Sequence, residues 1–195
     1  LPLTGRAADR LPDHIPVMAG LFFFALGMAL MVTSDVNTPF WTFAAFAMVG
    51  RFGLAFILPS LSAAALRALP PEQLNKGSGS LNFFRQLGGA AGTNLIVVWL
   101  QLRTMFHAEA LTATQTADNN TVRQFLDTVG TSLESAGLSS ALSDPMALDY
   151  LGKVVYAQAL TMAYQDSFMI LAIVFVLALP LAWVLGRVRR QAPVA

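Results

Sequence analysis

Four apolar stretches, each close to the roughly 20 residues that a bilayer-crossing helix requires, constrain this chain more than anything else in it. They cover residues 15–33, 40–66, 80–102 and 167–186, with polar connectors between them. Hydrophobic residues make up 55% of the chain and charged residues 12%, where an ordinary globular domain carries about 25% charged residues. The expected fold is therefore an all-α membrane protein with four transmembrane helices, and lipid is its first partner.

The first span is apolar on every side, with Phe22, Phe23 and Phe24 in a row and Gly20, Ala25, Gly27 and Ala29 set between larger residues. A helix of that kind is buried in protein or lipid. After the turn-rich connector Ser34 to Pro39, the second span carries Gly50, Arg51 and Gly53 near its centre, and Pro59 is an expected kink. Arg51 stands about 18 Å beyond the connector at ~1.5 Å per residue, near the bilayer midplane. A charge at that depth is a functional-site hypothesis, weighed against a structural role in bonding carbonyls. Phe52 and Phe56 join Arg51 as candidate cavity residues for apolar compounds. Packing or lipid contact is the competing reading for the aromatics, and Phe40 and Trp41 suit an interfacial belt.

The third span opens on LNFFRQLGGAAG, Leu81 to Gly92. Arg85 and Gln86 are costly near hydrocarbon, while Gly88, Gly89 and Gly92 offer a face that lets a neighbouring backbone approach closely. Headgroup anchoring of Arg85 is the plainer alternative. Upstream, residues 67–79 read as a polar connector, with GSGS at Gly77 to Ser80 as a flexible lead into the helix. Downstream, residues 103–166 form a long polar region with helical segments. Val122, Phe125, Leu126, Val129 and Leu133 follow helical spacing, Thr121 with Gln124 makes a capping-box pattern, and Gly137 closes that helix. Asp144 and Pro145 read as the N-cap and first residue of a helix that runs through YAQALTMAYQ into the last span. Pro180 interrupts that span, and Gly186 and the basic tail 187–195 end it.

A cytoplasmic N-terminus places seven basic residues inside, Arg6, Arg10, Arg67, Lys76, Arg187, Arg189 and Arg190, against Arg103, Arg123 and Lys153 outside. The positive-inside rule thus puts both termini in the cytoplasm and the long polar region outside. Every Asp and Glu falls outside the four spans, so a proton-carrying carboxylate has to come from elsewhere. Catalytic motifs are missing. His14 and His107 fall on opposite sides of the membrane, each read as a solvated interfacial residue, so no metal site is expected between them. Asn119, Asn120 and Thr121 fit a glycosylation sequon, a short match that arises readily by chance. With a net charge of +1 and no basic run, nucleic acid is not an expected partner. The chain starts on Leu1 without a signal pattern and reads as a piece of a longer protein.

Gly5-Arg6-Ala7-Ala8-Asp9-Arg10 resembles the cytoplasmic loop signature of the major facilitator superfamily. Together with Arg51-Phe52-Gly53, the RQLGGAAG run from Arg85, the long outer region and QALTMAYQDSF from Gln158, the chain resembles the C-terminal end of an EmrB/QacA-type drug:proton antiporter. The loop ends in Pro12-Asp13-His14 where that family has further basic residues. The resemblance implies the last four of about fourteen helices of a bacterial inner-membrane secondary transporter. It also implies that Gly5, Asp9 and Arg10 act in gating with Arg85, Gln86, Gly88, Gly89 and Gly92, against N-terminal helices of the same transporter. It implies export of small apolar or amphipathic drugs, a proton gradient as the energy source, no cofactor, and, for the EmrB-like branch, a periplasmic adaptor and an outer-membrane channel. A self-contained four-helix membrane scaffold is the alternative.

Overall fold

The structure is a computed structural model that describes residues 14–191 apart from Ala68 and Ala117, with side chains to residue 184. Its regular elements are helices throughout the described residues: α1 (His14–Met31), α2 (Phe40–Arg67), a 3-10 turn at Pro71–Gln73, α3 (Leu74–Thr112), α4 (Asn120–Ser135) and α5 (Ser140–Gln191). Among them, α1, α2 and the Ser140–Val184 part of α5 are long and apolar enough to cross a membrane by length and composition. α3, which contains the expected third span, is not among these three. Asn82, Arg85, Gln86 and Asn94 dilute its apolar run.

The helices reach farther than hydropathy alone predicts. α3 is one helix of 39 residues, so Gly77 to Ser80 are helical and not a flexible lead, and the helix passes residue 102 to end at Thr112. α5 begins at Ser140, ahead of the expected cap at Asp144. The N–H groups of Leu142 and Ser143 already bond the Ser139 carbonyl at 2.9 and 3.0 Å, which starts the helix a turn early and leaves Pro145 inside it. From there α5 runs unbroken for 52 residues, joining the polar region to the last span as the pattern predicts. It passes through Pro180 and Gly186 without ending, since a membrane helix tolerates a proline when its freed backbone groups are satisfied locally. Pro59 likewise lies inside a continuous α2.

α4 is capped differently from the expected Thr121–Gln124 box. Asn119 is the N-cap, and its Oδ1 accepts the Thr121 N–H at 3.0 Å. Thr121 therefore sits inside the first turn. At the other end Gly137 takes φ +96°, where a side chain would be strained. Its N–H bonds the Glu134 carbonyl at 2.9 Å and the Leu138 N–H bonds the Leu133 carbonyl at 3.1 Å, the paired closure of a Schellman motif.

The chain forms two compact units. The first holds the residues up to Ile96 and those from Gln165 onward. Its organising contact is between α1 and α2, whose backbones meet at glycines. A Cβ on Gly53 would lie 2.5 Å from the Phe24 nitrogen and 2.6 Å from the Gly20 oxygen, and one on Gly27 would lie 2.5 Å from the Gly50 nitrogen. Leu21, Ala25 and Ile57 are buried around this seam. α5 joins the same unit through Phe175, whose ring centre is 4.3 Å from that of Phe24. At the end of α1, the Gln165 amide donates to the Ser34 carbonyl at 2.8 Å. Asp35 folds the connector by accepting the Asn37 N–H and the Thr38 hydroxyl at 3.0 and 2.9 Å.

The second unit is Val97–Tyr164. Val122, Ala147, Ala159 and Ala163 are buried in it, and the Phe125 and Tyr150 rings stack at 5.9 Å with 4° between planes. The α4 face named from helical spacing is thus the inward one, with Val122 buried and Phe125, Leu126, Val129 and Leu133 half-buried. Glu134 on the exposed side accepts the Ser143 hydroxyl at 3.2 Å.

Because backbone atoms occupy the space a Cβ would need, Gly27→Ala and Gly53→Ala should each destabilise the purified protein by about 1–3 kcal/mol, the usual cost of overpacking. Gly50→Ala should cost clearly less, since its Cβ would meet only the flexible end of Met28 at 3.4 Å. Circular-dichroism melts in detergent compare the three.

Candidate functional site

Arg51 is in the central part of α2, between the two glycines that face α1. Gly50 and Gly53 are buried, so the helix turns Arg51 and Phe52 outward, and both are exposed. Arg51 forms no hydrogen bond or ion pair among the described residues. Phe52 lies edge-on to Phe23 of α1 at 5.3 Å and to Phe56 at 5.0 Å, which makes a short aromatic row along the α1–α2 pair. Of the three cavity residues expected from the sequence, the structure brings Phe52 and Phe56 together and leaves Arg51 on an adjoining face.

Arg85 is placed differently. Its guanidinium donates to the Ser62 hydroxyl of α2 at 2.7 Å. Ser62 in turn donates to the Leu58 carbonyl at 2.7 Å, one turn back on its own helix. Sequence reasoning missed Ser62, because a lone serine in an alanine-rich stretch carries no motif. Gln86, Gly88, Gly89 and Gly92 share the open surface of α3, where every residue from 82 to 95 is exposed. A Cβ on Gly88, Gly89 or Gly92 would meet nothing within 4 Å. The close approach expected at these glycines is thus absent among the described residues, and the close approach that exists uses Gly20, Gly27, Gly50 and Gly53. The signal for it was available in the seven-residue interval between Gly20 and Gly27, which sets both on one helix face. Gly5, Asp9 and Arg10 lie outside the described residues.

In the second unit His107 is buried, at 9% exposure, and not the solvated residue its sequence position suggested. The extension of α3 to Thr112 puts His107 and Thr104, three residues apart, on a face that is covered. Arg103 lies against His107 at 3.5 Å and over the Phe106 ring, 4.6 Å from its centre. A groove of about 450 Å³ runs between α4 and the start of α5, lined by Leu126, Asp127, Gly130, Thr131, Glu134, Asp144, Ala147 and Leu148. No group of residues suited to holding a metal ion occurs among the described residues.

Residues 1–113 match the sequence profile of the Major Facilitator Superfamily. The chain belongs to this superfamily of membrane transporters. α1, α2 and α3 fall within the match, while α4 and α5 lie beyond it. Relatives extend the likeness further. The MFS-type transporter YhcA of Bacillus subtilis is 23% identical over 97% of this chain and 36% of its own length. The colistin resistance protein EmrB of Acinetobacter baumannii is 28% identical over 81% of this chain and 29% of its own. The multidrug export protein EmrB of Escherichia coli K12 is 24% identical over 93% of this chain and 34% of its own. This major facilitator chain therefore spans about a third of the length of these relatives. No solved structure gives a significant match.

The open glycine surface of α3 has a direct test. Gly88→Ala and Gly92→Ala should not destabilise this 195-residue chain and should raise its stability by up to about 1 kcal/mol, the helix-propensity gain of alanine over glycine where the new methyl meets no neighbour. A loss comparable to that of Gly53→Ala, read in the same melts, would show a contact at this face.

Proposed function

We propose that this chain is the C-terminal part of a proton-coupled multidrug efflux transporter that exports apolar or amphipathic compounds by alternating access. The observation that carries the reading is the contrast within the first unit. α1 and α2 are interlocked backbone to backbone, whereas α3 turns a polar and glycine-rich face, Arg85 to Gly92, to open space. A face of small residues with a cation at its end suits a moving contact with helices of the same transporter. The likeness to proteins named for multidrug export and colistin resistance, over most of this chain, supports the same reading.

In this proposal residues 80–102 of α3 cross the membrane as a fourth span despite their polar residues, because those residues face other helices and not lipid. Both termini are in the cytoplasm, the membrane is a bacterial inner membrane, and Val97–Tyr164 lies on the outer side. There it is available to a periplasmic adaptor that leads to an outer-membrane channel. Arg51 lines the substrate path with Phe52 and Phe56 beside it. Gly5, Asp9 and Arg10 form the cytoplasmic gate together with Arg85 and Gln86. Since no Asp or Glu falls in the four proposed spans, the proton-carrying carboxylate in this proposal belongs to other helices.

Uptake of a fluorescent amphiphile into everted vesicles of cells expressing the full-length transporter, where export runs into the lumen, tests this. Export should stop when a protonophore collapses the gradient, and persistence of export would remove proton coupling. Arg51→Ala should slow efflux about tenfold, the factor that ~1.4 kcal/mol of barrier carries, at unchanged membrane abundance. Equal losses of rate and abundance would return Arg51 to a structural role.

A further inference from the structure

Arg85 is a donor-only group with five N–H bonds, and among the described residues α1, α2 and its own part of α3 offer it no carboxylate. α1 and α2 contain no Asp or Glu, and on α3 the first acid is Glu109, far along the helix. The polar atom it meets is the Ser62 hydroxyl, at 2.7 Å. That hydroxyl has a fixed polarity. Its single O–H is committed to the Leu58 carbonyl at 2.7 Å, so only lone pairs face α3. An acceptor that cannot rotate into a donor is thus matched to a side chain that can only donate.

The match also sets where the charge sits. Long side chains on a helix lean toward its N-terminal end, and an arginine near a membrane surface would ordinarily continue on to headgroups. Here the guanidinium stops on α2, five residues short of Arg67 at the end of that helix, or about 7 Å along its axis. One N–H is used and four stay uncommitted among the described residues. We propose that Ser62 is a positioning residue, pinning Arg85 to α2 so that its free N–H bonds are held at one depth for the gating contact. The transport consequence rests on the efflux reading above, whereas the pinning itself does not.

The test uses the full-length transporter in native membranes. An arginine-directed dicarbonyl reagent is applied, and modification at Arg85 is quantified by mass spectrometry. Ser62→Ala should raise the modification rate about three- to tenfold, the range expected for losing a hydrogen bond to a charged group at a partly exposed site. Ser62→Thr should restore the wild-type rate, because a helical threonine can make the same bond to the carbonyl four residues back. In efflux, Ser62→Ala should slow transport in the Arg85 protein and add nothing in the Arg85→Gln background. An unchanged modification rate in Ser62→Ala, or a threonine variant that behaves like alanine, overturns the pinning. Additive losses with Arg85→Gln, or full efflux by Arg85→Gln, overturn its role in gating. If the wild-type protein exports nothing while modification responds as stated, the efflux reading falls and the positioning of Arg85 by Ser62 stands.

Discussion

The close approach of α1 to α2 is the constraint on which the first unit depends. Between two helices in lipid there is no apolar surface to remove from water, so association relies on van der Waals packing at short range. Gly20 against Gly53 and Gly27 against Gly50 supply that range by putting backbone where side chains would otherwise be. Two such points, separated along both helices, also fix register. As the α1 residue number rises from 20 to 27 the facing α2 number falls from 53 to 50, so the helices run antiparallel. Rotation of α2 is fixed with them. Once Gly50, Gly53, Ile57 and Ser60 are turned inward, Arg51, Phe52 and Leu58 have only the outer side to occupy.

Polar side chains along these helices are handled by the backbone first. Ser62, Asn94, Thr104 and Thr161 each donate to the carbonyl four residues back, at 2.7 to 2.9 Å. Such bonds remove a hydroxyl or amide from the list of groups that must find a partner in another helix. Arginines cannot use this device for all five N–H bonds, and three of them have three different surroundings. Arg85 takes a serine hydroxyl, Arg103 lies over aromatic rings beside a buried histidine, and Arg51 stays exposed. The order runs from satisfied to unsatisfied, and the unsatisfied one is the cation at the centre of a span.

Much of the architecture was legible in residue order. Apolar length alone located α1, α2 and the last span, and the spacing of Val122 to Leu133 gave both α4 and its inward face. Helix ends were less legible for a local reason. A cap depends on which of several neighbouring polar groups wins, and Asn119 outcompeted Thr121 just as the Ser139 carbonyl outran Asp144. The length of α3 and α5 was hidden because hydropathy reports the solvent around a helix and not its backbone. Residues 74–80 and 103–112 are polar and helical at once. His107 shows the same gap: its burial comes from tertiary packing that no single-residue pattern encodes.

Glycines mark the deeper limit of reading such a chain by sequence. GxxxG spacing at Gly88 and Gly92 advertises a tight contact, whereas Gly20 with Gly27 and Gly50 with Gly53, seven and three residues apart, share a helix face without forming that motif. In the structure the pairs without the motif carry the contact and the GxxxG pair faces open space. Spacing on one helix states only that a smooth face exists. Whether the face is filled depends on complementary positions elsewhere, and α1 and α2 each carry half of one seam. On α3 no described residue fills the corresponding face. A static seam excludes side chains on both partners, which makes it intolerant of change. A face that has to slide needs smoothness without interlock, and the run from Gly88 to Gly92 has that property.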